Sequence, residues 1–140
     1  MKIALVIPCY NEEAVLPETL HRLNKLLTDL LERSVVNVGS HALLVDDGSR
    51  DATWSIIRRA AEENPLFTGL KLSRNKGHQT ALLAGLRYVD ADAVISIDAD
   101  LQDDLNAIEK MVAAHRAGAD VVYGVRARRE TDTWFKRFTA

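Results

Sequence analysis

Ile3-Ala4-Leu5-Val6-Ile7-Pro8-Cys9-Tyr10-Asn11-Glu12 opens the chain with an unbroken apolar run that ends at a proline and turns polar. A short continuous apolar run of this kind reads as a strand buried on both faces, the signature of the inside of a parallel sheet. From Glu13 to about Glu32, leucines stand at 16, 20, 23, 27 and 30. Those steps of four and three make one apolar helix face, which we read as core packing. A second strand is expected over about Ala42 to Val45, ending at Asp46-Asp47-Gly48-Ser49. Asp51 is placed to cap the next helix, which carries Trp54, Ile57 and Ala61 and stops near Asn64-Pro65. The same alternation continues: a strand at Phe67 to Leu72, a helix at Lys76 to Tyr88 and a strand at Ala93 to Ile97. A helix at Leu105 to Ala117, with Gly118 as its stop, precedes a fifth strand at Asp120 to Tyr123. Strand and helix alternate in units of about 25 to 30 residues. The order predicts an α/β fold, a mostly parallel sheet with helices on both faces. Ligands of such sheets bind at the carboxyl ends of the strands, near the point where strand order reverses.

The composition is that of an ordinary globular domain: 140 residues, 47% hydrophobic, 27% charged, with 18 basic against 20 acidic side chains. A net charge of -2 excludes the basic footprint of a nucleic-acid binder. The charge is uneven, however. Arg126, Arg128, Arg129, Lys136 and Arg137 against Glu130 and Asp132 make the tail +3 and leave -5 for the rest. Such a tail suits phosphates or an anionic membrane surface, or is a solvated chain end. Cys9 is the only cysteine, so no internal disulfide forms, which fits a reducing compartment. No apolar run reaches the ~18 residues of a membrane span, and the opening run is too short for a secretory signal. The stretch after Arg126 shows no clear period, and the chain is expected to be part of something longer.

Chemistry-bearing residues gather after the strands. Pro8 to Glu12 follow the first, Asp46 to Ser49 the second, Ser73 to His78 the third, Asp98 to Gln102 the fourth, and Gly124 to Arg126 the fifth. A parallel sheet sets all five segments along one edge. With 12 aspartates in the chain, an Asp-x-Asp arises roughly once by chance, so the bare motif says little. It occurs twice. Asp90-Ala91-Asp92 precedes the fourth strand and reads as a solvated turn, whereas Asp98-Ala99-Asp100 follows it and joins the cluster. Carboxylates crowded in one cleft repel each other unless a cation compensates. Two aspartates at this spacing suit Mg2+ or Mn2+ completed by a diphosphate and water, and are too few for a calcium cage. Asp46 and Asp47 read either as acceptors for a base N–H or ribose hydroxyl, or as a turn in which Gly48 supplies positive φ. Tyr10 is placed to lie against a base, or is a half-buried loop aromatic. His78 alone is a weak catalytic candidate without a triad partner.

Ile7-Pro8-Cys9-Tyr10-Asn11-Glu12-Glu13, Val45 through Asp51, Arg74-Asn75-Lys76-Gly77 and Asp98 through Asp103 together resemble family 2 of the glycosyltransferases, in order and separation, from Lys2 to about Arg137. Within it, Asp98 to Asp103 and the tail Gly124 to Arg137 are similar to the branch that loads sugars onto polyprenyl phosphates, the dolichol-phosphate mannose synthases and bactoprenol glucosyltransferases. That branch usually has prolines soon after Gln102, where this chain has Asp104-Leu105, a difference in helix entry. The resemblance implies a nucleotide-diphospho-sugar transferase (GT-A, Rossmann-like) fold over residues 1–125, with 126–140 beginning an acceptor-side or membrane-proximal segment. It implies inverting transfer from a UDP- or GDP-linked sugar to a polyprenyl phosphate. Nucleotide contacts are then expected from Pro8, Tyr10, Asn11, Glu12, Asp46, Asp47, Asn75, Gly77, Asp98 and Ala99, and Mg2+ or Mn2+ ligation from Asp98, Asp100 and Gln102. Catalysis would rest on Asp98, Asp100 and Arg126, with Arg126 approaching the acceptor phosphate or donor diphosphate. The longer protein would work at the cytoplasmic face of the membrane, as monomer or homo-oligomer.

Three other readings compete with this one. A dinucleotide-binding dehydrogenase needs a glycine-rich turn after the first strand, and Pro8 to Glu13 has no glycine. A phosphorylated receiver domain carries its acidic pair after the first strand, not the second. A non-catalytic module that holds nucleotide-sugar without turning it over is the closest alternative.

Overall fold

The computed structural model describes residues 1–101, 105–126 and 133–138, with side chains to Val122. Two compact units form, Met1–Gln102 and Asp103–Ala140. The first contains β1 (Ile3–Cys9), α1 (Leu16–Glu32), β2 (His41–Asp46), α2 (Thr53–Glu63), β3 (Phe67–Lys71), α3 (His78–Tyr88) and β4 (Ala93–Ser96). Its strands make one wholly parallel sheet in the order β3-β2-β1-β4. The chain therefore builds outward from β1 to β3, then crosses back to lay β4 on the other side of β1. The strand order reverses between β1 and β4.

Every residue of β1 is buried, which is why its sequence is apolar without alternation. Helices cover both faces. On the face carrying Val6, Leu43 and Val45, α3 presents Ala81 and Gly85; a Cβ at Gly85 would stand 2.5 Å from Val6 Cγ1. On the opposite face α2 packs so closely that a Cβ at Gly69 would meet the Ile57 side chain at 2.7 Å. Along α1 the buried stripe is Leu16, Thr19, Leu23, Leu27 and Leu30. Leu20, expected in the stripe, is only half-buried, and Thr19 takes its place.

In the second unit α4 (Ala107–Arg116) is followed by β5 (Val121–Arg126) and β6 (Thr133–Phe138). The fifth strand, expected in the parallel sheet, pairs instead with β6 in a separate antiparallel ribbon, from Val121↔Phe138 to Arg126↔Thr133. The connection of residues 127–132 is far shorter than the dozen or so residues that a parallel crossover needs, so the two strands return on each other. Of the five loops expected along one sheet edge, four follow strands of the parallel sheet, and the fifth, Gly124 to Arg126, belongs to the second unit. No helix among the described residues is long and apolar enough to cross a membrane.

Candidate functional site

Strand order brings the loops after β1 and β4 side by side. Val6 pairs with Ser96, and the Ile97 N–H donates to the Val6 carbonyl at 3.0 Å, so Asp98 leaves the sheet alongside the end of β1. From there burial alternates: Ile97, Ala99 and Leu101 are buried, while Asp98 and Asp100 are exposed. The apolar residues anchor the turn and the two carboxylates stand clear of it. The Leu101 N–H closes the turn on the Asp98 carbonyl (3.1 Å) with Leu101 at φ 50°. Left-handed backbone is uncommon outside glycine and gathers at functional sites. Asn11, in the facing loop, has φ 51°. The carbonyl of Ala99, between the two aspartates, accepts from the Thr19 hydroxyl at 2.6 Å.

The loop after β1 is stitched to the loop after β2. Ser49 Oγ accepts from the Asn11 N–H (2.9 Å), Thr53 Oγ1 from Glu12 (2.8 Å) and Asp51 Oδ2 from Glu13 (3.3 Å). In return Asn11 Oδ1 accepts from the Arg50 N–H and Glu13 Oε2 from Ala52. Asp51 Oδ1 takes both the N–H (2.9 Å) and the hydroxyl (2.6 Å) of Thr53 at the start of α2. Burial pushes the Asp51 carboxyl up, but the Thr53 hydroxyl and the N–H groups of Thr53 and Glu13 outweigh it and hold it below its usual range. Asp51 caps the start of α2 as its sequence position suggests; its tie to Glu13, and those of Ser49 and Thr53 to the β1 loop, follow from a hydroxyl or carboxylate beside a helix start.

The loop after β3 is held by Asp47. Its two oxygens accept from the N–H groups of Lys76 (2.7 Å) and Gly77 (3.0 Å). Gly48, at φ 68°, lies directly under this loop: a Cβ there would be 2.3 Å from Asn75 N and 2.4 Å from Arg74 C. The loop after β2 therefore admits only glycine at 48. Asp46 is wholly buried, with Oδ1 at 3.3 Å from the Ser49 N–H; Oδ2 is a buried side-chain oxygen without a hydrogen-bond partner among the described residues.

The cluster is electrostatically one site. Burial, then the negative charges of Asp100, Asp51 and Asp98, raise the Glu12 carboxyl above its ordinary 4.5. The loops leaving β1, β2 and β4 thus meet closely enough for their carboxylates to repel. His78, the first residue of α3, sets Nε2 at 4.0 Å from Asp98 Oδ1 and brings the β3 loop to the same edge. The Cys9 thiol is pushed far up, by burial first and then by Glu12 and Asp46, so it is unreactive. Tyr10 is exposed at the rim. Asp90-Ala91-Asp92 lies at the opposite, amino end of β4, where Asp92 Oδ2 accepts from the Lys2 N–H at 2.7 Å. Of the remaining candidates, Gln102 lies outside the described residues, and Arg126 ends β5 in the second unit with its side chain outside them.

Among the described residues no three His, Cys, Asp or Glu side chains are arranged to hold a metal alone. Asp98 and Asp100, two exposed carboxylates on one turn, fit a hard divalent cation that draws its other ligands from phosphate and water.

In a parallel sheet with helices on both faces, ligands bind where strand order reverses, here between β1 and β4; the likeness to a solved glycosyltransferase makes this the GT-A form of nucleotide-sugar transferase fold. The family model described as glycosyl transferase family 2 matches residues 4–139, and the chain belongs to that family. It is 49% identical over 140 residues to the uncharacterized glycosyltransferase YkoT of Bacillus subtilis (strain 168), covering 99% of this chain and 42% of YkoT. It is 41% identical over 143 residues to the bactoprenol glucosyl transferase of Shigella phage SfX, covering 100% of this chain and 44% of that protein. The chain thus spans less than half the length of these curated relatives. Among solved structures it is similar to the mannosyltransferase PcManGT of Pyrobaculum calidifontis, in complex with GDP-Man and Mn2+. The TM-score is 0.65 at 26% identity, over 79% of this chain and 31% of that one.

Proposed function

We propose that this chain is the donor-binding part of an inverting glycosyltransferase that moves a sugar from a UDP- or GDP-linked donor to a polyprenyl phosphate, releasing the nucleoside diphosphate. The observation that carries this reading is the meeting of the Asp98-Ala99-Asp100 turn with the Pro8–Glu12 loop at the reversal of strand order. The GDP-Man and Mn2+ of the mannosyltransferase support a nucleotide-sugar donor and a divalent cation. The bactoprenol glucosyl transferases among the relatives support the lipid phosphate acceptor.

In this reading Tyr10, Asn11, Asn75 and Gly77 form the nucleoside side of the cleft, and the buried Pro8, Asp46 and Asp47 support it from beneath, Asp47 through the Lys76 and Gly77 N–H groups. Asp98 and Asp100, with Gln102, hold Mg2+ or Mn2+ against the diphosphate. When bound, the cation neutralises charge developing on the departing nucleoside diphosphate. The stitched loops after β1 and β2 pre-form the nucleoside wall, so little ordering is left to binding. Glu12 sits where its own charge is disfavoured, which biases that edge of the cleft toward accepting a cation. Arg126 meets the acceptor phosphate or donor diphosphate, and residues 126–140 begin the acceptor side, in a protein working at the cytoplasmic face of a membrane. A phosphate acceptor is already anionic near neutral pH and asks less of a general base than a hydroxyl does.

The test is incubation of the chain with UDP-glucose or GDP-mannose, Mn2+ and a polyprenyl phosphate in detergent. Sugar transferred to the lipid supports the enzyme. Saturable donor binding with neither transfer nor hydrolysis supports a binding module instead.

A further inference from the structure

His78 stands against the acidic turn, outside the residues that form the nucleoside side and the metal pair of the donor site. Its backbone is fixed from one side. Asp47 holds the N–H groups of Lys76 and Gly77 just before it, and Gly77 turns the chain at φ 95°. The Ala81 N–H then closes the first turn of α3 on the Gly77 carbonyl at 3.0 Å. Asp98 is fixed from the other side by the β1–β4 ladder and by Thr19 on Ala99. Between these two supports only the imidazole and the carboxylate are soft. Their separation, 4.0 Å, is longer than a hydrogen bond; the side chains are 57% and 62% exposed, so both have room to rotate toward each other.

We propose that His78 is a positioning residue for Asp98: its Nε2–H donates to Oδ1 and fixes the carboxylate in the orientation in which it would hold a divalent cation. The proposal rests on the reading of Asp98 as a ligand. Both the neutral ring protonated on Nε2 and the imidazolium donate from this nitrogen, so the contact needs no change of charge. Partners that orient a ligating carboxylate are commonly worth about 10–100-fold in metal affinity.

The experiment titrates Mn2+ into the chain with saturating UDP or GDP, reading free Mn2+ by electron paramagnetic resonance. Nucleotide affinity with chelator and the melting temperature are measured alongside. His78→Ala is expected to weaken Mn2+ by about tenfold or more, with chelated nucleotide affinity and melting temperature unchanged. His78→Gln, which keeps an N–H donor, is expected to recover most of the loss. Wild-type Mn2+ affinity in His78→Ala overturns the proposal. An equal loss of nucleotide affinity with chelator also overturns it, because the ring then touches the nucleotide itself. If the wild-type chain binds no Mn2+ with either nucleotide, the donor-site reading fails and this proposal falls with it. That failure shows in the wild type, whereas a failure of the positioning role shows only in the variants.

Discussion

Thr19 on α1 donates its hydroxyl to the carbonyl of Ala99, eighty residues on, at 2.6 Å in the buried interior. One helix is thereby tied to the residue between the two aspartates. The bond explains why a polar side chain interrupts an otherwise leucine-filled stripe.

Thr19→Val keeps the shape and removes the donor, leaving a buried carbonyl without its partner. The expected cost is about 1–3 kcal/mol of stability, read from chemical unfolding. Thr19→Ser is expected to retain the bond and most of the stability. Metal-dependent nucleotide affinity should fall in Thr19→Val and hold in Thr19→Ser.

Gly48→Ala places a methyl 2.3 Å from the Asn75 nitrogen at a residue with φ 68°. Both the strain and the clash act against the folded loop, so a loss of more than about 1 kcal/mol is expected. The displaced 74–77 loop should also weaken nucleotide binding. Unchanged binding would separate that loop from the nucleoside.

Glu12→Gln is expected to stabilise the metal-free chain at neutral pH. The folded Glu12 carboxyl titrates above its ordinary 4.5, because of burial first and then Asp100, Asp51 and Asp98. It holds its proton more tightly folded than unfolded, so it lowers stability as the pH climbs from 4.5 through the folded value. Melting curves of the two proteins should coincide below 4.5 and separate above it, with the variant the more stable. A difference that does not change with pH would assign the effect to packing.

The two Asp-x-Asp copies should behave oppositely. Asp90 is exposed at the amino end of β4, and Asp90→Asn is expected to change stability by no more than about 0.5 kcal/mol, with nucleotide binding unchanged. Asp98→Asn and Asp100→Asn should leave the fold intact and remove the dependence of nucleotide binding on Mn2+. Comparable loss in Asp90→Asn would mean that the wrong pair was chosen.

Much of this was legible in the sequence because β1, β2 and the leucine stripe carry strong periodic signals, and because strand and helix alternate without a break. The choice of Asp98-Ala99-Asp100 over Asp90-Ala91-Asp92 as the site pair came from strand polarity alone, and the structure sets the two copies at opposite ends of β4. The pairing of β5 was missed because Thr133 to Phe138 mixes apolar and basic residues and gives no clean period, and pairing partners are not written in local pattern. The tie from Thr19 to Ala99 was invisible for a different reason: a threonine on a helix face looks alike whether it faces solvent or a carbonyl from a distant loop.

The Asp98–Asp100 turn and the Pro8–Glu12 loop are expected to hold one nucleoside diphosphate between them, with a divalent cation. Calorimetry of UDP and GDP binding to the chain, once with Mn2+ and once with chelator, tests it most directly. The expected result is tighter binding of one nucleotide with Mn2+ in the wild type and no gain in Asp100→Asn. Identical affinity with Mn2+ and with chelator in the wild type would contradict the claim.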